Sequence, residues 1–255
     1  TEITTPGGDD TEQGVGENEA GDLTINLTVA GVDTPNKAAL TVNNGVTPSN
    51  KVENEPPVIK PSKQDTQKDP TISIDGKTLM LGDTGQYVVT LDARQKDQAY
   101  KVWRLGITDD YDDKYVDVDP AKIEVLGADG KDYSKAFNIQ VKDGVAYVYA
   151  RTVDTKAPAT GETVKGDPQP EDLKAYAANT AHDALKDPAI DQTLLGQTYQ
   201  VILPYKVIKV TDGYVVKNVA TQLVNQVSKT TNQVSNPLKP INPVKDVVVK
   251  VNGAS

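Results

Sequence analysis

Apolar and polar residues alternate with a period of two along much of this chain, which is the signature of strands half-buried against a core. In DLTINLTVA, Leu23, Ile25, Leu27 and Val29 share one face, and a second strand is expected around Ala39–Val42. Further strands are predicted at 71–74 (TISI, before an Asp75-Gly76 turn), at 86–91, and at 101–108 with Trp103, Leu105 and Ile107 on one face. Others follow at 122–125, 137–141 and 145–150, with Asp-Gly turns at 129–130 and 143–144, the last closing a hairpin. The series ends at 199–203, 214–219, 222–227 and 232–235.

Only residues 170–188 carry a helical signal. Pro170 suits a first turn, Glu171 and Asp172 complement the positive end of the helix dipole, and Pro188 stops it. Leu173, Tyr176, Ala177 and Leu185 form its apolar stripe. This order predicts an all-β sandwich with one helical insertion. Residues 1–20 are Gly-rich and acidic and read as linker or loop. The stretch 54–70, with its four prolines, reads as a connector with polyproline character.

Composition narrows the function. Cys is absent from the 255 residues, so disulfides and Cys-ligated metals are excluded. Phe, Met, Trp and His occur once each, a balance suited to β-branched cores. A net charge of −9 argues against nucleic acid or an anionic membrane as partner. No apolar run is long enough for a membrane helix. The lone His182 lies on the predicted helix among small and polar residues and is expected at the surface. No catalytic triad, phosphate-binding loop or nucleophile elbow is present, so the chain is not expected to be an enzyme.

Two short patterns recur out of phase. KDPTISIDG (68–76) reappears as KDVVVKVNG (245–253), and NKAALTVN (36–43) as NVATQLVN (218–225), both with a period of about 180 residues. The repeat divides the chain into four. Residues 1–57 hold a linker and the terminal strands of a preceding β-domain, and 58–65 a Pro-rich connector. A complete β-sandwich domain spans 66–240, and 241–255 form the first strand of a following one.

Four segments carry a resemblance to a known family. They are DGKTLMLGDTGQYVVTLD (75–92), ITDDYDDKY (107–115), YVVKNVATQ (214–222) and NPLKPINPVKDV (236–247). They resemble the C-terminal stalk domains of the streptococcal antigen I/II adhesins. That resemblance implies an immunoglobulin-like sandwich of the DE-variant type and an extracellular protein anchored to the bacterial cell wall. It also implies an intramolecular amide between a first-strand Lys and a late Asn, assisted by an Asp. On these positions Lys68 matches the Lys and Asn218 the Asn, while the Asp is Asp109 or Asp110. Strand parity favours Asp109, which continues the face of Trp103, Leu105 and Ile107. Lys245 and Asn36 match the same roles in truncated neighbours and lack partners within an intact unit.

The chemistry needs burial. Lys attacks only as a neutral amine, and an apolar interior disfavours its charged form. A buried carboxyl stays protonated and can polarise the Asn carbonyl. The bond needs no cofactor and forms once per molecule, closing a loop of about 150 residues and substituting for disulfides. Read singly, Lys68 is a solvated linker lysine and Asn218 an edge-strand residue. The run DDYDDKYVDVD (109–119) adds a calcium expectation, with Asp112 and Asp113 as candidate ligands, against a plain solvated acidic loop. The partners expected are neighbouring domains of the same adhesin, with host glycoproteins or other bacteria as candidate ligands. The alternative function is a receptor-binding module using the helical insertion and the acidic loop.

Overall fold

The structure, a computed structural model, describes residues 39–42, 45–48, 58–96, 101–157, 160–167, 171–183 and 187–241. The chain divides into two units, Thr1–Pro57 and Val58–Ser255. In the first, β1 (Ala39–Val42) pairs antiparallel with β2 (Gly45–Pro48). The strand expected over Leu23–Val29, and both Asn36 and Lys245, lie outside the described residues.

The second unit is a sandwich of two antiparallel sheets. Its strands begin with β3 (Ser62–Thr66), β4 (Thr84–Ala93), β5 (Leu105–Asp110), β6 (Val116–Val118), β7 (Glu124–Gly127), β8 (Phe137–Lys142) and β9 (Val145–Ala150). Short pairing segments follow: β10 (Thr152–Val153), β11 (Thr155–Lys156), β12 (Thr163–Val164) and, beyond helix α1 (Leu173–Ala178), β13 (Ala189–Ile190). The chain then forms β14 (Gln197–Val207), β15 (Val215–Asn218), β16 (Ala220–Val224), β17 (Val227–Thr230) and β18 (Val234–Pro237). One sheet runs β3-β4-β14, with β6 and β7 sharing the far edge of β14; the other runs β17-β16-β5-β9-β8. β15 pairs with β18.

The core lies between the sheets, where Val89, Leu91, Val201 and Leu203 face Leu105, Ile107, Val148 and Val224 in one continuous apolar cluster. The two sheets are also clipped by a polar contact. The buried Gln222 amide on β16 accepts from the Asp92 N–H at 2.9 Å and donates to its carbonyl at 2.6 Å. At the β8–β9 hairpin, Asp143 and Gly144 both take positive φ (53° and 76°), the conformation a two-residue hairpin turn requires.

Two expectations about elements are corrected. Residues 71–74 are a turn rather than a strand. Asp69, held before Pro70, accepts from both the N–H and hydroxyl of Thr71, and its carbonyl takes the Ile72 N–H, so local bonds capture donors a strand would need. The helix spans only six residues. Asp172 caps it by accepting from Lys174 and Ala175, and it stops at Asn179, whose side chain accepts from Ala181. The buried Arg104 binds the carbonyls of Tyr176, Ala177 and Asn179, completing the stop.

His182 is not the surface residue expected. Its ring stacks on Trp103 at 4.0 Å and 9°, its side chain is 7% exposed, and Asp187 lies 3.4 Å from Nδ1. An imidazole with one apolar face accounts for this, because the sole Trp offers it a flat partner.

Candidate functional site

The first strand of the sandwich carries the site. β3 contains SKQDT, and its inward face is Lys63 and Asp65, both buried, while Ser62 and Gln64 face solvent. The connector expected at 58–65 therefore includes a strand, paired with β4 in the register Lys63↔Val89 and Asp65↔Tyr87. Asn232 holds this strand in place from the other side. Its Oδ1 accepts the Lys63 N–H at 2.9 Å and its Nδ2 donates to the Lys63 carbonyl at 2.8 Å, mimicking a neighbouring strand.

Lys63 reaches across the core to the second sheet, where its Nζ donates to Asp109 Oδ2 with both side chains fully buried. Asp109 points inward because it keeps the parity of Leu105 and Ile107 on β5; Asp110, one residue on, is exposed. The cross-strand neighbours of Asp109 are Ala220 and Ala146, whose small side chains leave room above it for the lysine. Asn218 lies two residues before Ala220 and is buried at the end of β15, where Val216 and Asn218 share the inward face.

Tyr87 links these groups. Lys63 Nζ lies 4.6 Å from its ring centroid; burial, reinforced by Asp65 and Asp109, pushes the pKa of the Tyr87 hydroxyl well up, with the Asn218 amide opposing. Asn218 is near enough to act on that hydroxyl, yet the geometry completes no hydrogen bond. Among the described residues, neither amide atom of Asn218 has a hydrogen-bond partner, and Asp109 Oδ1 has none either. Burial drives the Lys63 amine below its ordinary pKa, against the opposing pull of Asp109 and Asp65. That is the direction a nucleophilic amine requires.

Lys68 stands apart from this cluster. It is exposed at the bend after β3, and its carbonyl accepts from Gln86 Nε2 at 3.4 Å. The lysine that meets Asp109 is Lys63, five residues earlier in the sequence. The difference has a physical cause: the strand predicted to hold Lys68 begins at a turn, whereas the true first strand hides its charged face in the core.

Asp112 and Asp113, the residues expected to bind calcium, make other contacts. Among the described residues, no three His, Cys, Asp or Glu side chains gather closely enough to share a metal ion. Asp112 Oδ2 instead accepts from the Tyr214 hydroxyl at 2.6 Å, and Asp113 packs beside Gly144.

Residues 61–238 match the family described as the cell surface antigen I/II C2 terminal domain. The chain belongs to that family. It is 30% identical over 205 residues to the aggregation substance of Enterococcus faecalis, a match covering 77% of this chain and 14% of that protein. The chain thus spans a small fraction of this curated relative. Among solved structures it is similar to the C-terminal domain of the AgI/II polypeptide BspA from Streptococcus agalactiae. The TM-score is 0.51 at 15% identity, covering 81% of this chain and 59% of that one, which supports the shared fold. As an antigen I/II C2 domain, the sandwich is an adhesin module of a surface-protein family and not an enzyme.

Proposed function

We propose that this C2 domain is a stalk module of a cell-wall-anchored adhesin, stapled by an amide that Lys63 and Asn218 form spontaneously with Asp109 as assisting acid. The observation that carries this reading is a set of buried polar atoms, on Asp109 beside Lys63 and on Asn218 beside Tyr87, that have no hydrogen-bond partner among the described residues. A buried amide left without hydrogen bonds costs about 1–3 kcal/mol per group, and natural cores avoid it. Asn218 leaves both its amide atoms unpaired in the same core as a deprotonation-prone lysine and a carboxyl with a free oxygen. Those are the groups an amide-forming reaction needs.

In the reaction the Lys63 proton passes to Asp109, and the neutral amine attacks Cγ of Asn218. Asp109 gives its proton to the carbonyl oxygen as the tetrahedral centre forms. Collapse of that centre reforms the carbonyl and breaks the Cγ–Nδ2 bond, and the protons displaced from oxygen and from the attacking amine leave with the nitrogen as an ammonium ion, a net loss of one ammonia from the chain. Asp109 ends as it began. Rigid placement in a folded core supplies the proximity. The bond joins the first strand of one sheet to the strand leading into the other, so a pulling force cannot peel them apart. Such a module would hold an adhesive head away from the wall, and the name of the Enterococcus faecalis relative fits a role in cell contact. Peptide mapping by tandem mass spectrometry is the test: a branched peptide joining Lys63 to Asn218 is expected, and two separate unmodified peptides would refute the staple.

A further inference from the structure

A second buried carboxylate lies beside this lysine, and the reaction just described has no task for it. Asp65 is two residues from Lys63 on the same face of β3, so their side chains leave the strand about 7 Å apart. It is fully buried. Its two oxygens accept from the Tyr205 hydroxyl at 3.0 and 3.1 Å. Tyr205 stacks on Tyr87 at 4.5 Å, and Tyr87 lies under the Lys63 amine. This contact depends on Gly85: a Cβ there would come 2.5 Å from the Tyr205 hydroxyl oxygen. The groups acting on Asp65 are Lys63 on its own strand, Tyr205 on β14, Asn236 on β18 and Asp75 in the turn after β3. Tyr87 and Asp109 complete the polar set around the lysine.

Resting on the crosslink reading, we propose that Asp65 is a positioning residue that controls which of Lys63 and Asp109 holds their shared proton. The reactive arrangement is neutral amine with protonated Asp109; the unreactive one is ammonium with carboxylate. Moving the proton within the pair leaves its net charge unchanged, so bulk pH alone does not select between them. A negative charge on Asp65 does, because it favours the ammonium; its pull on Lys63 is upward. Burial raises Asp65 to about 7, with the Tyr205 hydroxyl working in the opposite direction. Asp65 is therefore neutral in mild acid, where the pair can react, and charged in mild alkali, where the proton returns to the amine. Crosslinking then slows as pH rises through neutrality. An ordinary lysine nucleophile behaves in the reverse way.

The test is refolding of the full chain from inclusion bodies dissolved in urea, after the uncrosslinked mass has been verified. Folding is followed through the single Trp103, and ammonia loss is then timed by mass spectrometry at pH 6 and pH 8. The expected rate is roughly tenfold lower at pH 8, the effect of about one pKa unit of coupling. Asp65→Asn should react at the fast rate at both values. Tyr205→Phe removes a hydrogen bond that favours the charged form, so its decline should move to higher pH; it carries the test if Asp65→Asn does not fold. A rate that climbs with pH in the parent chain, or a Tyr205→Phe or folded Asp65→Asn profile that overlays the parent, overturns the role of Asp65. A parent chain that never loses ammonia at any pH overturns the crosslink reading and the role of Asp65 with it.

Discussion

Asn218 shows how much one residue can disclose. In a settled core its amide would donate to a carbonyl or a hydroxyl, as the Gln222 and Asn236 amides donate to the Asp92 and Ile74 carbonyls. Among the described residues it has no such partner, and it neighbours Tyr87, over whose ring the Lys63 amine lies. Asp109 is the proton carrier in this arrangement, so Asp109→Asn should keep the shape and lose the reaction. Its intact mass is expected at the full sequence value, and ammonia loss at the parental rate would remove Asp109 from the mechanism. Asp65 makes a separate thermodynamic prediction. Its acidity in the folded state, at about 7, lies above the ordinary carboxylate value near 3.8. The stability it lends is therefore full below that ordinary value and is lost as pH rises through 7. The melting temperature should be about 5 °C lower at pH 8 than at pH 5, and Asp65→Asn should flatten that difference.

At the scale of elements, the sequence was legible wherever a strand had one apolar face. The alternation of Leu105, Ile107 and Asp109 placed β5 and turned Asp109 inward, and the Asp143-Gly144 turn marked the β8–β9 hairpin. β3 was not legible, because its buried face is Lys63 and Asp65. Hydrophobic periodicity has nothing to register on a strand whose inward residues are charged. TISI at 71–74 looked more like a strand, yet Asp69 and Pro70 had already committed that segment to a turn. Asn232, which pins β3, gave no sequence signal, since a side chain imitating a strand partner has no fixed spacing. The helix was overextended for a similar reason: its end is set by Arg104, more than seventy residues earlier in the sequence. The insertion carries its own prediction. Burial lowers the His182 pKa, with Asp187 and Asp183 opposing. A depressed histidine lends stability above its ordinary value near 6.5, and that stability is lost as pH falls. Trp103 fluorescence should therefore change on acidification, and His182→Leu should abolish the change; a persistent response would place its origin elsewhere.

For the whole molecule, the staple explains how a chain without Cys can resist unfolding. The Lys63–Asn218 bond would close a loop of about 155 residues, and chain-entropy arguments assign such a closure roughly 4–5 kcal/mol. Lys63→Ala should lower the melting temperature by about 10–15 °C, read by calorimetry, while added reductant should leave the parent unchanged. The bond spans both sheets, so its loss should also expose the strands to protease. The most direct measurement is the intact mass of three proteins: the parent, Lys63→Ala and Lys68→Ala. The parent and Lys68→Ala should each be lighter than their sequence masses by one ammonia, and Lys63→Ala should match its sequence mass. A parent at full sequence mass, or a Lys63→Ala chain that still loses ammonia, would contradict the staple.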